Sequence, residues 1–263
     1  MNIKKMISTA GFSLVFYFLS FEVSAESILP IIKIGDRTPL AISVSLQGNS
    51  YSLSLPADFM RQIEGLYSDV YIEDLNGDGI GEVIFRLEGG DVNICFKVLH
   101  YRSASNTLTE MDFGDGGLCN FQIENGYIIG SYRYGSTWSE YVYRTRNEIV
   151  KLEILDSCVG CGEIKRKEYH SDGSVTRLLV SDNIDHKRRV PLSATISSLR
   201  AVIFSSPETS KHTKKYLIQG DEITLLDFFK DNDGRDWIEF RYSGGAVIEG
   251  WLKCSDLENC DGR

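Results

Sequence analysis

The chain has only four histidines in 263 residues, and it lacks the short motifs that commonly indicate catalysis. The histidines are scattered at positions 100, 170, 186 and 212, so the His-Glu-x-x-His zinc motif is absent. The Gly-x-Ser-x-Gly motif of serine hydrolases is also absent. Catalytic groups can assemble from distant positions, but no pattern in the sequence favours an enzyme. We therefore interpret the protein as non-catalytic.

One cysteine motif could support redox chemistry, namely Cys158-Val-Gly-Cys161. In thioredoxin-like proteins this spacing opens a helix after a strand. Here Gly160 and Gly162 flank Cys161 between two strand-like segments, which favours a turn closed by a small disulfide. A zinc site would need further ligands, and neither a second motif of this kind nor a nearby histidine pair provides them.

The first residues have the pattern of a signal peptide. Lys4 and Lys5 precede an uncharged stretch over residues 6–21, and Val23-Ser24-Ala25 matches a cleavage site. The apolar stretch is shorter than the roughly 20 residues of a spanning helix, so no membrane anchor is expected after cleavage. The first cysteine is Cys95, which argues against a lipoprotein. These features predict a signal peptide over residues 1–25 and a protein that is periplasmic or secreted.

Basic residues are outnumbered by acidic ones. The net charge is −9, and it becomes −10 once Lys4, Lys5 and Glu22 are removed with the signal peptide. Only short basic runs occur, at residues 165–167 and 186–189, and we interpret them as solvated strand ends and linker. A nucleic acid would be repelled by this charge, so we expect no nucleic-acid partner.

Six cysteines in an exported chain predict disulfide bonds, because an oxidising compartment lets them persist. Fifteen pairings are possible, and the sequence cannot choose among them. Proximity along the chain suggests the pairs Cys95–Cys119, Cys158–Cys161 and Cys254–Cys260.

Strand patterns dominate the mature chain. One helix is predicted near residues 56–66, where Phe59 and Ile63 lie four residues apart behind Pro56. Elsewhere short segments rich in Val, Ile, Tyr and Phe alternate with turn residues such as Asn-Gly and Asp-Gly. The clearest predicted strands cover residues 70–72, 83–85, 94–101, 127–134, 138–143 and 149–155. The prediction is an all-β fold with a propeller-like or meandering antiparallel domain over residues 26–180.

A change in composition predicts a second unit. Residues 181–198 are polar and charged, then serine-rich, and we interpret them as a linker. The unit that follows, residues 199–263, contains Gly220-Asp221, a strand with Trp237, and Gly250-Trp251-Leu252 in that order. This pattern resembles a bacterial SH3-like domain, which implies a small five-stranded barrel. Both tryptophans would supply core volume, and Gly250 would permit a close backbone approach.

An acidic loop at residues 74–82 is the sharpest chemical motif. Oxygen-bearing side chains occupy alternate positions at Asp74, Asn76 and Asp78, Gly79 allows a turn, Ile80 can offer its carbonyl, and Glu82 follows. Such spacing wraps several hard oxygen donors around Ca²⁺. It is not an EF-hand, because Phe85 stands at the twelfth position and strands flank the loop. The sequence predicts a structural calcium site, the alternative being an acidic hairpin turn.

The loop at 74–82 and its strand-rich surroundings resemble a family of periplasmic inhibitors that protect bacteria from peptidoglycan-hydrolysing effectors. The resemblance covers roughly residues 65–180, and the C-terminal unit departs from the simplest members. It implies an immunity protein or lysozyme inhibitor that binds a cell-wall hydrolase or toxin effector. The segments 114–117 and 134–138 are candidate contact loops, although Trp138 could equally be a core residue. The alternative is a non-catalytic module that binds peptidoglycan through the SH3-like domain.

Overall fold

A computed structural model describes residues 29–146 and 148–260 of the protein. The predicted signal peptide, residues 1–25, lies outside this range. The first sheet has the order β1-β2-β3 and is antiparallel. A short helix, α1, follows it and buries Phe59 and Ile63, as the sequence predicts. These elements are β1 (Ile31–Arg37), β2 (Leu40–Leu46), β3 (Asn49–Leu53) and α1 (Ala57–Ile63).

The second sheet contains the strands on either side of the acidic loop. Its main path is β4-β5-β6-β7, and β8 pairs with β6. Its strands are β4 (Tyr67–Glu73), β5 (Glu82–Leu87), β6 (Cys95–Arg102), β7 (Thr107–Glu110) and β8 (Leu118–Cys119). A 3-10 helix over Gly114–Gly116 precedes β8.

The third sheet is a six-stranded meander in which neighbours in sequence are neighbours in space, with β9 and β14 at its edges. Tight turns connect the strands, and Asn125, at one of them, has φ 52°, a left-handed conformation that asparagine tolerates. The strands are β9 (Gln122–Glu124), β10 (Tyr127–Tyr134), β11 (Thr137–Arg146), β12 (Ile149–Val159), β13 (Glu163–Tyr169) and β14 (Val175–Ser181).

The C-terminal sheet has the order β15-β18-β19-β20-β16-β17. The sequence predicts a five-stranded barrel here, but the described chain has six strands, because β15 joins from the segment predicted as linker, and their backbone pairing runs as an open path from β15 to β17. The strands are β15 (Ser193–Thr195), β16 (Ala201–Phe204), β17 (His212–Leu217), β18 (Glu222–Lys230), β19 (Asp236–Gly244) and β20 (Ala246–Lys253). Short 3-10 helices cover His186–Arg188, Thr209–Lys211 and Cys254–Asp256.

The second sheet is buried on both faces. Val83 and Phe85 of β5 pack with α1 and the first sheet, whereas Ile84 between them packs with Ile128 and Tyr143 of the third sheet. Successive side chains of a strand point to opposite faces, so both faces require apolar residues. This explains why β5 reads as a continuous apolar run rather than an alternating one.

The structure confirms the all-β fold class with meandering antiparallel sheets. The six strands expected at residues 70–155 all form, with bounds that shift by a few residues. No helix in the described part of the chain is long and apolar enough to cross a bilayer.

The segment at 181–198 differs from an extended linker. Ser193–Thr195 forms β15 and pairs with β18, and Ile196 is completely buried and bridges to Leu257. The sequence predicted a linker because the segment is rich in serine and charged residues. A short edge strand such as β15 has too few apolar residues to show the alternation typical of a strand. The second half of the predicted linker therefore belongs to the C-terminal sheet.

The two tryptophans and Gly250, on which the resemblance to an SH3-like domain rests, differ in their burial and contacts. Trp237 is completely buried, and its indole N–H donates to Asp231 at 3.0 Å, whereas Trp251 is only partly buried. A Cβ on Gly250 would lie 2.6 Å from a methyl of Ile203 and 3.0 Å from the Phe204 carbonyl oxygen. The close backbone approach expected at Gly250 is thus present.

Candidate functional site

The acidic loop connects β4 to β5 and is organised by its own side chains. The two carboxylate oxygens of Asp74 accept the backbone N–H of Gly77 at 2.7 Å and of Gly79 at 2.9 Å. Asn76 and Asp78 each accept an N–H two residues further along the chain. These bonds fold the backbone of the turn around the side-chain oxygens.

Glu82 closes the loop from the first position of β5. Its side chain is buried, with the residue 2% exposed, and its carboxylate accepts the Leu75 N–H at 2.7 Å and the Asn76 amide at 2.8 Å. Burial raises the pKa of Glu82 to about 7, the Leu75 N–H opposes that rise, and the carboxylates of Asp78 and Asp74 add to it. The structure therefore brings three carboxyl groups into one electrostatic cluster.

The cluster suits a hard divalent cation. Its donors are carboxylate and amide oxygens, which Ca²⁺ prefers, and a cation would offset the repulsion that the buried Glu82 experiences. Asp74, Asn76, Asp78 and Glu82 would be the side-chain ligands. Ile80 packs its side chain partly against the core shared by the first two sheets, which fixes the backbone between Asp78 and Glu82.

The three disulfides form between the cysteines that are nearest in sequence, as proximity suggests: Cys95–Cys119, Cys158–Cys161 and Cys254–Cys260. Cys158–Cys161 closes a turn between β12 and β13, where Cys161 N–H donates to the Cys158 carbonyl. No helix begins there, in contrast to thioredoxin-like sites. Three disulfides fit an exported protein.

The hairpin between β10 and β11 presents an aromatic side chain to solvent. Its ladder is continuous from Ile128↔Tyr143 to Tyr134↔Thr137, and Gly135 at the tip has φ 60°. Tyr134 is 80% exposed. Trp138 is half-buried, so its burial does not distinguish a core residue from a contact residue.

Two asparagines brace this hairpin against the loops that the disulfide Cys95–Cys119 holds. Asn93 donates to the Arg133 carbonyl at 3.0 Å and accepts the Arg133 N–H at 2.8 Å. Asn120 accepts the Ile94 N–H and donates to the Ser131 carbonyl. Sequence reasoning missed both asparagines, because partners 40 residues away for Asn93 and 26 and 11 residues away for Asn120 leave no local signal.

The second candidate contact loop, residues 114–117, packs against β11 of the same hairpin. A Cβ on Gly116 would lie 2.6 Å from the Tyr141 ring and 2.7 Å from the Tyr143 hydroxyl. That hydroxyl donates to the carbonyls of Phe113 and Gly117, both at 3.1 Å, and burial raises its pKa. An open cleft of about 420 Å³ borders the loop and is lined by Asp112, Asp115, Tyr141 and Tyr169 among others.

The other sequence features have structural roles. Asp231 holds the turn at residues 231–234 by accepting the N–H groups of Asp233 and Arg235 and the indole N–H of Trp237. His100 and His186 are buried, whereas His170 is exposed and bonds to Thr176. The prediction that the basic runs at 165–167 and 186–189 are solvated is wrong for three residues, because Arg166, His186 and Arg189 are buried, and His186 lies in a 3-10 helix.

Comparisons with known proteins found no matching protein family and no matching curated protein. A solved structure described as "Structure of a Xanthomonas Type IV Secretion System related protein" aligns with 60% of this chain and 80% of its own. The identity is 14% and the TM-score is 0.32. A similarity this low supports no conclusion about fold or function.

Proposed function

We propose that the protein is an exported inhibitor or immunity protein that binds a peptidoglycan-degrading enzyme or antibacterial effector in the bacterial envelope. The observation that carries this proposal is the braced β10–β11 hairpin with Tyr134 at its tip. An exposed aromatic side chain on a rigid support loses little conformational entropy on binding, and such residues often dominate the energy of protein interfaces.

The bracing supports recognition by a preformed surface. Asn93 fixes the backbone of Arg133, the residue before Tyr134, with two hydrogen bonds. The loop that carries Asn93 is in turn held near Cys95–Cys119. A hairpin fixed in this way could enter a concave active site without reorganising, as tight protease inhibitors do.

The charge of the protein supports a basic partner. A net charge of −9 for the whole chain creates a field that accelerates association with proteins of the opposite sign. Many cell-wall hydrolases are basic, since their substrate is an anionic wall. Calcium at residues 74–82 would have a structural role here, because the loop joins two strands of the buried second sheet.

A lysis assay tests the proposal. The mature protein is added to purified basic peptidoglycan hydrolases, including lysozymes and amidases, and the clearing of a peptidoglycan suspension is followed. We expect inhibition of at least one of these enzymes. Tyr134→Ala should weaken it by roughly 30-fold or more, as loss of an interface hot spot of about 2 kcal/mol would.

Tyr51→Ala is the matched control, since Tyr51 is an exposed tyrosine on β3, away from the hairpin. It should inhibit as well as the unchanged protein. Equal loss in both variants, or no inhibition of any enzyme by correctly folded protein, would contradict the proposal.

A second candidate function is binding of peptidoglycan by the SH3-like unit. One observation favours it: Trp251 is only partly buried and meets the half-exposed Phe229 edge to face, with ring centroids 6.5 Å apart. Exposed aromatic pairs suit wall peptides or sugars. Sedimentation with purified peptidoglycan that is lost in Phe229→Ala but retained in Tyr134→Ala would favour this function over inhibition.

A further inference from the structure

The segment after β14 crosses the third sheet instead of leaving it. We call residues 182–190 the strap. Arg189 of the strap forms ion pairs of 2.6 Å with Asp156 on β12 and 2.7 Å with Glu140 on β11. His186 meets the Tyr127 ring of β10 edge to face, at 5.8 Å between centroids. The strap therefore runs from one edge strand, β14, towards the opposite edge strand, β9.

Three metal-ligating side chains converge where the strap reaches that far edge. Glu124 is the last residue of β9, and Asp185 and His186 lie at the start of the strap's 3-10 helix. One ligand atom of each lies within 4.8 Å of the other two. Two carboxylates and an imidazole on two separate elements can enclose one ion, and they leave a position for water.

The imidazole of His186 has no hydrogen-bond partner among the described residues, although the residue is only 4% exposed. A ring nitrogen of His186 can therefore act as a ligand beside the two carboxylates. Its backbone is held, because the Arg166 guanidinium donates to the His186 carbonyl at 3.0 Å.

Three cationic side chains lie near the cluster and could compete with a metal ion for its carboxylates. Arg188 contacts the Asp185 carboxylate at 3.3 Å, but its side chain is largely exposed and can turn to solvent. Lys187 lies over the Tyr127 ring, and the Arg166 charge is already matched by Asp156. The other Asp185 oxygen caps the 3-10 helix by accepting the Lys187 N–H. One lone-pair-bearing oxygen of Asp185 thus stays available once Arg188 moves.

We propose that Glu124, Asp185 and His186 bind one first-row transition-metal dication, such as Zn²⁺, which fastens the strap to the far edge of the third sheet. An imidazole ligand favours such ions over Ca²⁺, which takes oxygen donors alone. The site is therefore distinct in chemistry from the loop at 74–82. Its role is to stabilise the arrangement of the strap over the sheet, and it is independent of the inhibitor function.

Calorimetric titration of the chelator-treated mature protein with Zn²⁺ tests this site. We expect one ion per chain, and a weakening of more than about tenfold in both Glu124→Gln and His186→Asn, since each removes one of three ligands. Circular dichroism verifies that each variant is folded. Glu124 is partly exposed at the edge of the sheet, so Glu124→Gln should fold. It therefore tests the site even if His186→Asn does not fold.

Two controls separate this site from other metal binding. A variant with His170→Asn and His212→Asn removes exposed imidazoles and should bind Zn²⁺ as before. Glu82→Gln changes the acidic loop and should also leave Zn²⁺ binding unchanged. Absence of binding, or binding that is unaffected by Glu124→Gln, would overturn the proposal, and so would binding that disappears with the two exposed histidines.

Discussion

Asp156 is a carboxylate with no exposed surface, and arginine side chains occupy both of its oxygens. Arg166 donates to them at 2.7 and 2.6 Å, and Arg189 donates at 2.6 Å. Arg189 also pairs with Glu140, and its remaining terminal nitrogen is buried without a partner among the residues that the structure describes. A buried charge is tolerated only when it is neutralised and hydrogen-bonded, so Asp156 organises the network beneath the strap.

We expect Asp156→Asn to destabilise the protein strongly, because it leaves the buried charges of Arg166 and Arg189 facing each other with only Glu140 to offset them. Loss of one partner of a buried pair typically costs about 3–5 kcal/mol in the free energy of unfolding. Urea denaturation followed by fluorescence measures it.

Asp58→Asn is the matched control for Asp156→Asn. Asp58 pairs with Arg61 on the exposed side of α1, where solvent screens the charges, and its loss should leave the denaturation midpoint unchanged. Similar midpoints for the two variants would show that the buried network contributes little.

At the scale of elements, the loop at 74–82 links two strands whose faces are both buried. Glu82 is at once the last residue of the loop and the first of β5. Its position in the sheet is fixed by pairing with Glu73 and by the Leu75 N–H. Ion binding at the loop would therefore stabilise the β4–β5 connection directly.

Calcium should raise the thermal unfolding midpoint of the unchanged protein and not that of Glu82→Gln. The glutamine keeps an acceptor for the Leu75 N–H but removes the charge on which cation binding depends. At a free calcium concentration 100 times the Kd, linkage predicts about 2.7 kcal/mol of added stability. Differential scanning calorimetry with calcium and with chelator measures the difference.

Asp91→Asn serves as the control for the calcium response. Asp91 is an exposed acid in the neighbouring β5–β6 connection, and its variant should respond to calcium like the unchanged protein. An equal response in Glu82→Gln would argue that the loop is an acidic turn without an ion.

At the scale of the whole molecule, the third and C-terminal sheets share apolar contacts and ion pairs. Leu179 of β14 lies in the same buried cluster as Leu225 and Phe240 of the C-terminal sheet. Arg177 pairs with Glu239, and Lys165 pairs with Asp227 across the same boundary. The two units therefore support each other, in contrast to modules on a flexible linker.

Two isoleucines in the segment predicted as linker test this arrangement. Ile196 is completely buried, whereas Ile184 is 96% exposed. Ile196→Ala should cost about 2–5 kcal/mol of unfolding free energy, as a buried large-to-small change does. Ile184→Ala should be neutral. Urea denaturation of both variants, made in the full mature chain, measures these changes in the free energy of unfolding. If neither variant changed the stability, residues 181–198 would be a linker after all.

Local patterns in the sequence were sufficient for several parts of this protein. The turn residues and the β-branched and aromatic runs predicted the all-β class and the positions of six strands between residues 70 and 155. Proximity along the chain suggested the three disulfides that form. The calcium site predicted from the alternating oxygens of residues 74–82 stays a prediction. The strands, the turns and two of the disulfides depend on residues close together in the chain, so local backbone geometry determines them.

Only the tertiary structure decided which distant segments meet. It brought Asn93 to Arg133, joined Leu179 to the C-terminal core, and placed Glu124 beside His186, although each pair is far apart in sequence. It also made β15 and Ile196 part of the C-terminal sheet. Periodicity indicates that a residue is buried or exposed, but not what covers it, because the partner is chosen by the packing of whole sheets.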